Sequence, residues 1–348
     1  MNALLLEPLD VLYLRGNKLF GDAGSHGEAL MPPWPSLAAG ALRSRLMAAG
    51  SSLESLAEFR LTLFGLARQL TADATLETLW PLPADVVVNS DDLSAATYLR
   101  PQPLPSGLCS SYPLAQLPTL CADKPAKPIG GLWLNGIGIT AWLAGQPIEK
   151  AHLVRSSDLW QLDSRLGIAL DAEKRSAAKG MIYTSEAVAL QPGVGFVTAY
   201  AGLGAALQDG DLVRLGGDGR AARVHRTSLK LPATDWARIQ REGRYRLILT
   251  TPGIFADGWQ PEGLPGQLVA ASVSRADTIS GWDLVTGQPK AAQRIAPTGS
   301  VYWYQLDDKL ADLEKLQQLA DNGLFINDPM RRAEGFNHCR IAPWAQEN

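Results

Sequence analysis

Apolar and polar positions along the chain change period several times. Residues 1–15, "MNALLLEPLDVLYLR", are rich in Leu, Val and Tyr and run into the polar "GNK", which predicts a strand. "GDAGSHGEALMPP" follows as a Gly- and Pro-rich loop. The period then becomes helical, with Ala38, Leu42, Leu46 and Ala49 at i, i+4, i+8 and i+11. Ser36 as N-cap after Pro35 and Gly50 as stop predict a helix over 36–49. Ser51 and Glu54 have capping-box spacing and predict a second helix through Leu56, Phe59 and Leu63 to residue 65.

Residues 101–128 hold seven prolines in 28 positions, which predicts an exposed excursion without regular structure. "GLWLNGIGITAWL" returns to strand-like composition. Hairpins are predicted over 165–190, with a charged tip, and over 210–226, with Gly216, Gly217 and Gly219 at the turn. "GRYRLILTTPGIF" reads as a strand, 307–321 as a helix on Leu310, Leu313 and Leu316, and "GFNHCRIAPW" as a last strand. Strands and helices alternate without regular βαβ spacing, so the fold class expected is α+β with antiparallel sheets. A chain of 348 residues has room for about two domains. Pro192, Gly193 and Gly195 in "LQPGVGF" place the division, giving 1–195 and 196–348.

Composition narrows the chemistry. At 46% hydrophobic and 19% charged residues, this is a globular protein with real cores. No apolar run reaches the roughly 18 residues that span a bilayer, and the N-terminus carries Glu7 and Asp10 with no basic lead, so neither a membrane partner nor a signal peptide is expected. Cys109, Cys121 and Cys339 form no CxxC pair and the four histidines lack ligand spacing. A reduced, cytoplasmic protein with no metal and no cofactor is the expectation. The net charge of −3 argues against a free-standing nucleic-acid binder. Residues 214–246 nevertheless carry eight arginines and one lysine against Asp218, Asp235 and Glu242. That run is a solvated face or a surface for an acidic partner.

Gly-rich nucleotide loops, GxSxG, HExxH and paired-acid motifs are all absent. His26, in its Gly-rich loop, is either a general base or a solvated side chain. The prolines before Ser36 leave two readings of the helix start as well: a capped core helix with a surface Arg43, or an anion-binding end.

Several stretches, taken together, resemble a known family. "PLDVLYLRGNKLFG", "MPPWPSLAAGALRSRL", "EKRSAAKGMIYTSE", "LGGDGRAARV", "LILTTPGIFADGW", "ISGWDLVTGQPKAAQRIAPTGSVYWY" and "EGFNHCRIAPW" occur in this order. The set is similar to the RAMP superfamily of CRISPR–Cas proteins, and within it to the subunit that caps the 5′ end of the guide in type III-B (Cmr) complexes. The resemblance implies two ferredoxin-like (RRM-related) domains with a β-hairpin thumb; it does not cover 101–128, so the Pro-rich loop insertions rest on the residues alone. It implies a non-catalytic subunit that grips the 5′ tag of the CRISPR RNA and docks on the large polymerase-palm subunit beside backbone RAMP subunits. Arg15, Asn17, Lys18 and His26, with Ser36, Gly40 and Arg43, would then form an RNA-backbone site. Lys174, Arg175 and Lys179 would sit at the tip of the thumb, and Gly335, Phe336 and Asn337 would form a loop lying on RNA. The family's C-terminal loop has further glycines where this chain has Asn337 and Ala342; Asn tolerates positive φ. An enzyme reading, a metal-independent endoribonuclease with His26 as base beside Lys18, is the alternative.

Overall fold

The computed structural model describes the chain except residues 17–25, 72–74, 90–92, 95, 108, 121–126, 172, 175, 203–206, 284–285, 309–310 and 345–348, and the side chains of 53, 177–181 and 311. Two antiparallel sheets organise it. The larger has Asn2–Pro8, Arg60–Arg68, Val194–Ala201 and Ala221–Ser228 at its centre. Numbered by their order in the chain, these stand fourth, first, third, second across the sheet, the order of a βαββαβ ferredoxin-like unit. Glu77–Pro81, Leu132–Leu134 and Leu153–Arg155 extend it on one side, Leu212–Arg214 on the other. The smaller sheet, from Arg244–Leu249, Gln267–Ser272, Val301–Gln305 and Cys339–Pro343, repeats the same spatial order. The α+β class with antiparallel sheets therefore stands.

The division expected at residue 195 falls inside the first unit. Val194–Ala201 and Ala221–Ser228 both pair with Asn2–Pro8, so the first sheet is completed only at Ser228. The Pro192–Gly193 break is a tight turn leading into that sheet. Gly193 has φ +76, and a Cβ there would lie 2.3 Å from the Gln69 carbonyl oxygen.

Helix α1 (Ser36–Ala48) forms as its apolar stripe predicts, burying Ala38, Leu42 and Leu46 against Leu4, Leu6, Leu61 and Phe196 of the sheet. Its cap is not Ser36, which is the first helical residue; Pro35 stands at the N-cap without a side-chain bond. The second helix, α2 (Leu53–Ala57), is short, and Ser52 caps it by accepting from Ser55 N–H at 3.2 Å. Residues expected to continue that helix form the strand Arg60–Arg68. Pairing with 194–201 along the strand, joined by 77–81 from Leu66 onward, overrides the helical spacing of Phe59 and Leu63.

The Pro-rich stretch is not wholly irregular: Arg100–Pro103 pairs with Gln116–Thr119, with Pro101 opposite Pro118. A two-stranded ribbon tolerates proline because each strand needs bonds on one edge only. The strand-like "GLWLNGIGITAWL" splits into Leu132–Leu134 and α3 (Gly136–Ala144), which Asn135 caps by accepting from Gly138 N–H at 2.8 Å. Sequence spacing missed α4 (Trp236–Glu242); the expected 307–321 helix is α5 (Ala311–Asn322), followed by an unforeseen α6 (Pro329–Ala333). Among the described residues no helix is long and apolar enough to cross a membrane.

One face of the smaller sheet, with Ile248, Val301, Trp303 and Ala342, packs on Trp80, Leu134 and Trp142 from the strands and helix inserted into the first unit. A buried ion pair sits in this joint. Arg246 Nη1 lies 2.5 Å from Asp85 Oδ2 and its Nη2 donates to the Trp142 carbonyl at 2.8 Å. Trp142 Nε1–H donates to the other Asp85 oxygen, and the guanidinium lies 4.2 Å from the Trp142 ring centroid. Burial pushes the Asp85 carboxyl above the usual range, and Arg246 opposes that shift.

Candidate nucleic-acid interface

Trp160–Leu170 and Ala177–Leu190 form the hairpin expected over 165–190, five residues longer at its start. Alternation along its first strand puts Leu162, Leu166, Ile168 and Leu170 on a solvent face, joined by Ile182 opposite Ile168. Leu166 is 72% exposed. On the other face Tyr183 lies across Gly167, where a Cβ would meet its ring at 2.3 Å. A solvent-facing row of branched apolar side chains was present in "RLGIAL" but hidden by the charged tip beside it.

His26–Gly27 adds to this hairpin as a short parallel strand, with Thr184 opposite His26. His26 Nδ1 lies 2.8 Å from Thr184 Oγ1, and its Nε2 lies 3.5 Å from Glu186 Oε1. Glu186 also accepts from Ala29 N–H at 3.0 Å, and Arg15 bridges to Ala29. The structure thus brings Arg15, His26 and the hairpin together. Asn17, Lys18 and Arg175 lie outside the described residues, as does the side chain of Lys179. Lys174 is exposed at the tip, 3.9 Å from Asp171.

Pro32, Pro33 and Pro35 line an apolar slot between the two sheets, facing Phe64, Trp80, Thr251 and Pro252. Trp34 packs onto Ile254 and Phe336. The prolines before α1 therefore shape a joint between the two units. Further along α1, Gly40 is exposed, with open space where a Cβ would stand. Arg43 stacks on Phe59, 4.8 Å from the ring centroid, and its Nη2 reaches the Phe59 carbonyl at 3.5 Å. Its Nε is buried with no partner among the described residues. Burial pulls the guanidinium below its ordinary value, with Glu334 acting against that. An arginine keeps its charge regardless.

The C-terminal turn faces inward. Gly335 has φ +89, and a Cβ would lie 2.9 Å from Leu61, so β-strand packing accounts for this glycine. Phe336 is buried. Asn337 takes φ +64 as its residue type allows, and its side chain bonds Ile254 N–H, the Ile254 carbonyl and the Phe325 carbonyl. Ala342 lies in the second sheet opposite Arg246. Within the basic run, Arg246 is buried with Asp85, Arg220 pairs with Asp10 and Arg238 with Glu242, leaving Arg214, Arg223 and Arg226 exposed near one sheet edge.

Comparison with known proteins agrees with this architecture. A chain in a cryo-EM structure of the type III-B Cmr-beta bound to cognate target RNA superposes with a TM-score of 0.53 at 15% identity, covering 98% of both chains. Another, from Cmr-beta bound to cognate target RNA and AMPPnP, gives 0.52 at 14%, covering 95% of this chain and 91% of that one. No curated protein matches. The model of the CRISPR-associated protein family Cas_Cmr3 matches residues 4–344, nearly end to end, and the chain belongs to that family.

Proposed function

We propose that this chain is a non-catalytic, RNA-binding subunit of a type III-B CRISPR effector complex, working in the cytoplasm. In this reading it holds the 5′ tag of the CRISPR RNA and docks on the large polymerase-palm subunit beside backbone RAMP subunits. The observation that carries the reading is the hairpin's bare apolar face with Lys174 at its tip. Apolar side chains wedge between bases and cations meet phosphates, a pairing that RNA rewards and water does not. The structurally similar chains come from complexes bound to target RNA. Arg15, Ser36, Gly40 and Arg43 form the adjoining backbone site in this reading, with Gly40 leaving room for a close approach.

The endoribonuclease alternative has less support. A general base needs a free ring nitrogen in reach of its proton, and both His26 nitrogens face hairpin side chains. The test uses the full chain and the assembled complex. The chain should bind single-stranded RNA carrying the tag and leave it uncut without metal. His26→Ala should leave target cleavage by the complex within a few-fold; a loss of about 100-fold or more, as for a missing general base, would make the chain an enzyme.

A further inference from the structure

The block "ISGWDLVTGQPKAAQRI" forms a ribbon that projects from the second sheet. Asp277–Ile279 pairs with Gln293–Ile295, and beyond them Trp282–Asp283 pairs with Gln288–Pro289, placing Trp282 opposite Pro289. Its base is held tightly. Ile279 and Ile295 are buried with Ile254, Ile326 and Phe336. From α6, Arg331 donates to Gln293 Oε1 and to the Ser280 carbonyl, both at 2.9 Å, and to Glu334 at 3.1 Å. Glu334 also pairs with Lys290, whose N–H donates to the Gly281 carbonyl at 2.8 Å. Above this anchored base the indole of Trp282 is 59% exposed.

Two observations, Arg294 and the place of the ribbon in the chain, point to what covers that ring. Trp282 lies opposite the exposed Pro289 and beside Gly281, Asp283, Gln288 and Lys290, and a nucleobase needs only one face of its ring. Arg294, exposed and opposite Thr278 on the same ribbon, forms no ion pair with a described residue. The ribbon leaves its sheet between the second and third strands, as the hairpin 160–190 does from the first sheet.

We propose that Trp282 is a stacking platform for one unpaired nucleobase of the bound RNA. The inference rests on the RNA-binding reading above and adds a base contact to it. A side chain carried on an anchored ribbon loses less freedom on binding than one on a mobile loop.

The test measures binding of a fluorescent single-stranded oligoribonucleotide to the full chain across a salt series, beside the same oligomer with abasic positions. Trp282→Ala should weaken binding about 5- to 100-fold, the range for one lost stack. The slope of log K against log salt should not change, since no phosphate contact is lost. Trp282→Phe should recover most of the affinity. One abasic position should weaken the wild type by a similar factor and leave Trp282→Ala unaffected. Unchanged affinity in Trp282→Ala, with a normal salt slope, overturns the stacking site and leaves the RNA-binding reading intact. Normal RNA binding with impaired complex assembly overturns it in favour of a protein contact. No RNA binding by the wild type defeats both readings.

Discussion

The two sheets share one strand order and differ in what joins their first and second strands. In the first unit α1 fills that connection and satisfies its own backbone. In the second, residues 250–266 fill it without a helix. Buried backbone groups must find partners somewhere, and here side chains of the sheet supply them. Tyr302 Oη–H donates to the Trp259 carbonyl and Tyr245 Oη–H to the Pro265 carbonyl, both at 2.6 Å, while Asn337 bonds both backbone groups of Ile254. Burial raises the pKa of both phenols, so they stay protonated donors. A helix can be replaced by loop where a few buried polar side chains take over its hydrogen bonds. The cost is that those side chains are then fixed inward. Asn337 and Phe336 are committed to the loop, which is why the C-terminal turn offers RNA no side chain from either residue.

The inserts show the opposite relation. Both units project a hairpin from the connection between strands two and three, and both leave apolar side chains bare at the far end. Most apolar side chains of the frame are buried, whereas those of the projections stand in solvent. Stability and binding should therefore separate by region.

The joint between the units is where the largest effect is expected. Arg246→Met leaves the Asp85 carboxylate buried without its cation, which costs about 3–5 kcal/mol. Calorimetry should show a lower Tm, and Asp85→Leu with Arg246→Met should recover much of the loss. If the single variant melts like the wild type, the pair does not hold the units together. Asn337→Ala comes next, at roughly 3 kcal/mol, since it strands buried groups of the helix-free loop and places Ala at φ +64. Denaturant midpoints would show it, and a cost below about 0.5 kcal/mol would mean the loop holds itself. Leu166→Ser with Ile168→Ser sits on the exposed hairpin and should move stability by only about 0.5 kcal/mol while RNA affinity falls. The smallest change is expected for Arg43→Ala, whose salt slope should drop by about 0.7 for one phosphate contact on single-stranded RNA. An unaltered slope would return Arg43 to a purely structural place on Phe59.

Much of this frame was legible from spacing alone. The stripe through Ala38, Leu42 and Leu46 marked α1, and two strand-like stretches around a charged tip marked the hairpin expected over 165–190. What misled was local pattern without pairing. Leu56, Phe59 and Leu63 fit a helix, yet residues from Arg60 onward pair as a strand with 194–201, and from Leu66 with 77–81 as well. Pro192 and Gly193 signalled a boundary because a tight turn and a linker use the same residues. The closing strands of the first sheet lie beyond that turn, and no local signal reports which sheet a strand will join. At the candidate site, Arg15 and His26 were found with the hairpin, whereas Asn337 was singled out for its tolerance of positive φ and serves the interior. Trp282 lay in a quoted motif, but its exposure depends on how the ribbon is anchored by Arg331 and Glu334, residues about fifty positions away.

The most direct measurement of the division between frame and projections is photo-crosslinking of the RNA-bound, assembled complex, read by mass spectrometry of this chain. Crosslinked peptides should come from 160–190 and from 277–295, with few from either sheet. Crosslinks concentrated on the exposed arginine edge at 212–228, with both hairpins unlabelled, would contradict it.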